Sequence, residues 1–284
     1  MSTASYLPPL DKLLTLGDAR PTLRRWPDYS HTGDSQYGLA PEHVPDLIRM
    51  ATDEELYQAN SQSSEVWAPV HAWRALGQLR AGSAAEPLTH LFHLIDDNHD
   101  EMISDELPQV FGLIGAGAIP ALTAYLEDVS HGPYARHASS RGLLEIARRQ
   151  PEARAECVAI ITRQLERYAE NDEALNAFLI GTLLDLKAVE SAPVMERAFA
   201  AGRVELAVAG DWEEVQIELG LKQKRDTPAR NYVAESLGPE LGAKLKALAE
   251  RVQVVEPPPP PRKSEAKKRD KRKQQEPRGK KKRK

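Results

Sequence analysis

Residues Val110–Leu126 read VFGLIGAGAIPALTAYL, seventeen positions without a charged side chain. One continuous helix cannot pass through them, because Gly115, Gly117 and Pro120 fall in the middle. Glycine weakens a helix interior, and proline lacks the N–H that an interior position uses. At the first position of a helix, however, the missing N–H costs nothing and the fixed φ already suits the helix. The stretch therefore predicts one helix ending near Ile114, a tight turn, and a second helix opening at Pro120. Gly115, Gly117 and Ala118 are expected to be small because the helices approach closely there. Ile114, Ile119 and Leu122 are expected in the core.

The same punctuation recurs outward from this turn. Pro45, Pro87, Pro120, Pro151 and Pro193 each open a segment of helical periodicity, at separations of 42, 33, 31 and 42 residues. Val44, Leu47, Ile48 and Ala51 lie at i, i+3, i+4 and i+7, and Leu88, Leu91, Phe92 and Ile95 repeat that spacing. Ile119, Leu122, Thr123 and Leu126 do so around Pro120. Partner helices are predicted over roughly 66–80, 105–115, 134–149 and 173–187, the last with Leu175, Leu179, Leu183 and Leu186 in one stripe. A two-helix unit of this length cannot bury its apolar face alone, but stacked neighbours can. No segment alternates with period two, so no sheet is expected. The fold class is all-α: an α-α superhelix of the HEAT/armadillo-like solenoid kind, right-handed, with about five hairpins.

The flanks read differently. Residues 5–18 predict a short helix carrying Leu10, Leu13, Leu14 and Leu16, and residues 19–40 a loop that Trp26 and Tyr29 pin to the body. Residues 1–40 thus form an N-terminal helix and loop, and 41–209 the repeats. Residues 210–255 supply capping helices: GDWEEVQIELGL, with Asp211 and Glu214 as a capping box, and an amphipathic helix at 239–252. Trp212 is expected to staple the last repeat. Residues 256–284 form a tail, with prolines at 257–261 as a polyproline spacer, followed by a lysine- and arginine-rich run expected to be disordered.

Charge divides the chain. The total of −4 arises from 38 Lys and Arg against 42 Asp and Glu. Residues 262–284 hold 14 of those cations and 3 of the acids, a net +11, leaving the preceding chain at −15. The lone cysteine, Cys157, excludes an internal disulfide and a cysteine-rich zinc site, and its place among apolar positions reads as a small buried hydrophobe. No signal peptide and no membrane span are expected, and a cytoplasmic location follows.

The runs GQLRAGSAAEPLTHL, GLIGAGAIPAL and LLDLKAVESAPVMERAF resemble HEAT repeats of the short type also found in phycobilin-lyase-like proteins. Together with WAPVHAWRALGQLRA, DELPQVFGLIGAGAIPAL and GDWEEVQIELGL, they resemble an uncharacterised family of bacterial HEAT-like proteins over roughly residues 38–222. Some members of that family end in a zinc-binding motif of the SecA C-terminal kind. With one cysteine this chain lacks it, so no zinc-linked role carries over. The resemblance implies the fold and supplies no catalytic residues.

Candidate chemistry is sparse. His90, His93 and Asp97 could present metal ligands from one helix, but their helical angles oppose the Leu88/Leu91/Phe92/Ile95 face, so a solvated polar face is expected. Asp96, Asn98 and Asp100 mimic the opening of a calcium loop, yet Glu101 and Leu107 stand where that loop needs Gly and Glu, so an acidic inter-helix turn is expected. Gly112, Gly115 and Gly117 follow no strand and are not a nucleotide fingerprint. No hydrolase, zincin or Walker motif occurs, so no catalytic, metal or cofactor site is assigned.

Three functions stay open: a non-enzymatic interaction scaffold for a protein partner, which solenoids suit; a nucleic-acid-associated protein acting through the tail; and a lyase of the HEAT-like pigment-lyase type. The first is favoured. The candidate polyanion-binding residues are Lys267, Lys268, Arg269, Lys271, Arg272, Lys273, Lys280, Lys281, Lys282, Arg283 and Lys284. They would contact phosphates without reading bases. The tail's partners could be nucleic acid, an anionic membrane surface without insertion, or the acidic body itself. No small-molecule substrate is identified.

Overall fold

A computed structural model describes residues 6–23, 25–30, 37–236, 238 and 241. The polyproline spacer, the basic tail with all its candidate residues, and nearly all of the helix expected at 239–252 lie outside them. Packing divides the chain into units Met1–Val233 and Ala234–Lys284, and the first unit holds every helix from Val44 to Glu218.

Every regular element among the described residues is helical, and the only strand-like pairing is one isolated bridge between Ser30 and Leu39. The α-helices are α1 (Val44–Ala51), α2 (Glu54–Tyr57), α3 (Ala68–Gln78), α4 (Ala85–Thr89), α5 (His93–Asn98), α6 (Glu101–Ile114) and α7 (Ile119–Glu127). Then come α8 (Pro133–Arg149), α9 (Arg154–Glu166), α10 (Glu173–Asp185), α11 (Ala192–Ala200), α12 (Leu206–Ala209), α13 (Trp212–Glu218) and α14 (Tyr232–Ser236). Two successions of packing run through them. In one, α1, α3, α6, α8, α10 and α12 each lie against the next; in the other, α4, α7, α9, α11 and α13 do. The successions meet where α7 and α9 pack on α8, and α9 on α10. The core between them is Leu, Ile, Val and Ala with a few aromatics, including Phe92 5.5 Å from Phe111 and 5.3 Å from Tyr125.

The central turn takes the expected form. Helix α6 ends at Gly115, a short 3-10 turn spans Ala116–Ala118, and α7 starts at Ile119 with Pro120 in its first turn. Ile114, Ile119 and Leu122 are buried. The reason for the small residues differs from the expectation. Gly115 has φ +86, and an added Cβ there would run into the Gln150 side chain, which accepts the Ala116 N–H at 2.9 Å. Gly117 faces open space. The close approach of helices is at Gly112 instead, where a Cβ would come within 2.7 Å of the Glu145 Cβ on α8.

Other boundaries shift for identifiable reasons. The partner helix expected over 105–115 begins at Glu101, capped by Asp100, whose side chain accepts the Ile103 N–H at 2.9 Å. Pro108 therefore sits inside α6 and leaves the Ser104 carbonyl, four residues back, without its helical donor. Arg141 of α8 supplies one at 2.9 Å. The segment around Leu88 is not one helix but α4, a 3-10 turn over His90–Phe92 and α5, although Leu88, Leu91, Phe92 and Ile95 are all buried. The expected helix over 5–18 is a 3-10 helix, Leu10–Thr15, burying Leu10 and Leu13. Pro151 opens a 3-10 turn, with α9 following from Arg154. Val44 and Ile48 are half-buried, and Met50 joins Leu47 and Ala51 on the buried face of α1.

Between α9 and α10 a buried amide network closes the turn. Gln164 donates to Asn171, Asn171 to Asn176, and Asn176 to the carbonyls of Tyr168 and Arg203, all at 2.7–2.9 Å. Asp211 caps α13 as expected, accepting the Glu214 N–H at 2.9 Å, and Trp212 packs 5.8 Å from Phe199 of α11. No single helix among the described residues is long and apolar enough to cross a membrane.

Candidate interaction site

Helix α3 is buried on every side from Ala68 to Gly77, which an amphipathic helix on a surface never is. The cover is the chain's own N-terminal stretch, held by polar side chains one helical face apart. His71 Nε2 donates to the Gly17 carbonyl at 2.9 Å, so its Nδ1 accepts the Tyr29 hydroxyl at 2.7 Å. Arg74 donates from Nη1 to Thr22 Oγ1 at 2.8 Å and from Nη2 to the Ala19 carbonyl at 3.2 Å. Its Nε and Nη2 also grip both carboxylate oxygens of Glu106 on α6, at 2.6 and 2.5 Å. The Trp26 ring lies 5.4 Å from the guanidinium. Gln78 donates to the Pro27 carbonyl and accepts the Tyr29 N–H, at 2.8 and 2.9 Å. Trp26 and Tyr29 thus pin the loop, as expected from sequence.

The next helices of that succession have no such cover among the described residues. Helix α6 shows Glu101, Asp105 and Gln109; α8 shows Tyr134, His137, Arg141, Glu145 and Arg148; α10 shows Ala174, Phe178, Gly181 and Asp185. Each set falls at helical spacing, so each is one stripe. Two clefts open along the stripes. One, of about 750 Å³, lies between α5, α6 and α8 and is lined by Ile95, Asp96, His99, Asp100, Glu101, Ser104, Asp105 and Tyr134. A second, of about 430 Å³, runs between α8, α10, α12 and α13, past His137, Arg141, Phe178, Gly181, Asp185, Glu214 and Glu218. The clefts adjoin at Tyr134, whose ring is 5.4 Å from Phe178, and at Arg141, which reaches across to Ser104 and to Asp105 at 3.6 Å.

Aromatic and acidic groups dominate this surface. His137 stacks on Phe178 at 4.4 Å, and burial, then the charge of Arg141, lower its pKa to about 4, so the ring is neutral at pH 7. Its Nδ1 is 3.4 Å from Ser140 Oγ, which also lies 3.2 Å from Thr182 Oγ1. No nucleophile–base–carboxylate chain is assembled there, and the pair of hydroxyls has no ionised neighbour in hydrogen-bond contact among the described residues. The arrangement can hold a chain by stacking and charge.

The residues singled out from sequence have plainer places. His90 and His93 are exposed at the rim of a third cleft of about 620 Å³, where His90 pairs with Glu86 at 2.9 Å and His93 donates to the His90 carbonyl. Asp97 is exposed and joins neither. No group of three or more His, Cys, Asp or Glu among the described residues could hold a metal ion. The calcium-like acidic turn proves to be two helix caps: Asp100 for α6, and Asp96 for α8, where its oxygens accept the Tyr134 and Ala135 N–H groups at 3.3 and 2.9 Å. Cys157 is buried, and burial, with Glu156 beside it, raises its thiol to about 11, outside the range of a nucleophile. Sequence reasoning missed the stripe of Tyr134, His137 and Arg141 and the latch of His71, Arg74 and Gln78. For the latch the signal was polar residues at i, i+3 and i+7 on an otherwise largely apolar helix; α8 carries polar residues on several sides, and there the spacing alone singled out no stripe. No known family model, curated protein or solved structure matches the chain.

Proposed function

We propose that this chain is a non-enzymatic scaffold that binds an extended segment of a protein partner along the open stripes of α6, α8 and α10. The two successions of packed helices support reading it as a HEAT-like solenoid of the kind the sequence resembles, whose stacked repeats offer a long binding surface. One observation carries the proposal. On α3 the same succession of helices already holds a non-repeat segment, residues 17–29 with a 3-10 turn at Arg20–Thr22, through side chains of one face that grip its carbonyls and an N–H. The neighbouring helices present equivalent stripes, uncovered among the described residues. We place the protein in the cytoplasm and assign it no cofactor or small-molecule substrate.

The net +11 of residues 262–284 supports a second binding activity, non-specific contact with nucleic acid through Lys267, Lys268, Arg269 and the cations beyond them. A pulldown with the full chain and with residues 1–256, each with and without nuclease, separates the two. A partner retained by both chains after nuclease treatment supports the scaffold. Recovery that needs both the tail and intact nucleic acid removes it.

A further inference from the structure

We infer that the segment bound along α6, α8 and α10 is basic, an arginine- or lysine-bearing stretch of a partner protein. This rests on the scaffold reading and names the chemistry of its ligand. The cleft between α5, α6 and α8 is lined by four carboxylates, Asp96, Asp100, Glu101 and Asp105, and by no lysine or arginine. Two of these are committed to the helix N-termini they cap. Glu101 has no ion pair among the described residues, and Asp105 meets only Arg141, at 3.6 Å and largely exposed. In the adjoining cleft Asp185, Glu214 and Glu218 stand against Arg141. The outlying cations there, Arg148 and Lys187, reach Asp185 and Glu218 only in exposed pairs at 3.3 and 3.5 Å. Exposed pairs contribute little, so an incoming guanidinium or ammonium can compete for these carboxylates.

Aromatic faces complete the match. Tyr134 is 54% exposed on the wall of the first cleft, and Phe178 stands beside it in the second. A cation over such a ring is attracted by its negative face, and the fold uses this contact itself, with Arg49 4.1 Å from the Tyr6 ring and Arg20 5.0 Å from that of Trp67. An acidic segment would meet like charge from Glu101 and Asp105 on α6, and from Asp185, Glu214 and Glu218 in the second cleft. A purely apolar segment would strip water from carboxylates without replacing it.

A random-peptide phage library panned against the full chain tests this. Lysine- and arginine-rich sequences should be enriched. Glu101→Gln combined with Asp105→Asn, and separately Tyr134→Ala, should each weaken the selected peptide by about tenfold or more. Glu152→Gln with Glu156→Gln, two exposed acids in the 3-10 turn before α9 and in its first turn, should leave affinity within about twofold. Equal loss in that control means diffuse attraction to an acidic body and overturns the proposal. Enrichment of neutral or acidic peptides that still lose affinity on Tyr134→Ala overturns the basic class and leaves the scaffold standing. No enrichment overturns both. If basic peptides are selected only by a chain ending at residue 256, the surface serves this chain's own tail and the partner is overturned.

Discussion

Removing the Arg74 guanidinium would leave the Glu106 carboxylate, 1% exposed, without its counter-charge, and would release the Ala19 carbonyl and the Thr22 hydroxyl. Arg74→Ala should therefore destabilise the fold by about 3–5 kcal/mol in denaturant melts, the usual cost of breaking a buried pair from one side. His93→Ala, at an exposed ring, should cost under ~0.5 kcal/mol. Comparable losses would contradict the burial assigned to each. His137 gives stability a pH dependence. The unfolded chain binds this proton near pH 6.5, whereas the folded ring resists it down to about 4. Its contribution is complete above pH 6.5 and is lost as the pH falls toward 4, amounting to roughly 2–3 kcal/mol. His71, held neutral chiefly by burial, acts in the same direction. Urea melts across that range should show the loss, and His137→Gln should flatten part of it. Neither histidine announced itself in the sequence, because a histidine's burial depends on what a distant segment lays over it. Here that is Phe178 for one and residues 17–29 for the other.

The two glycines of the central turn separate by their backbones. Gly115→Ala places a side chain at φ +86 against Gln150 and should cost about 1–3 kcal/mol. Gly117→Ala meets nothing within 4 Å and should fall within about ±0.5 kcal/mol or stabilise slightly. Thermal melts of the two variants check this, and equal effects would mean the turn is misdrawn. The helices themselves were legible. The predicted spans 66–80, 134–149 and 173–187 contain or nearly contain α3, α8 and α10, because each is buried on more than one side: α8 and α10 against both successions, α3 against α1, α6 and the N-terminal stretch. The start of α6 was not, because an acidic turn that resembles an ion loop is in fact a pair of caps, one of them for a helix more than thirty residues away. Helix α6 runs through Pro108, since Arg141 takes the carbonyl that the proline leaves bare. A proline within a helix marks the carbonyl four residues back as needing a donor, but the donor, Arg141, lies on another helix and only the packing reveals it.

At the scale of the chain, charge is divided between a body of −15 and a run of +11, and composition alone exposed it. If the run engages about 6–8 phosphates, the full chain's affinity for a random duplex should fall with log[salt] at a slope of roughly −5 to −7, and residues 1–256 should show no comparable binding. Equal affinity of the two chains, or a flat salt response, would remove nucleic acid from the partners. The candidate surface on α6, α8 and α10 was not legible in this way. Its stripes come from three helices spread over more than eighty residues, and which side of each stays open depends on how the helices stack. The sharpest test of the scaffold is site-specific photocrosslinking in cells, with a benzophenone side chain at Phe178 on the open stripes or at Ala155, exposed at the start of α9. A scaffold should give a discrete crosslinked protein from position 178 that is absent from 155 and is reduced in the Glu101→Gln, Asp105→Asn background. The same products from both positions, or none from 178, would contradict it.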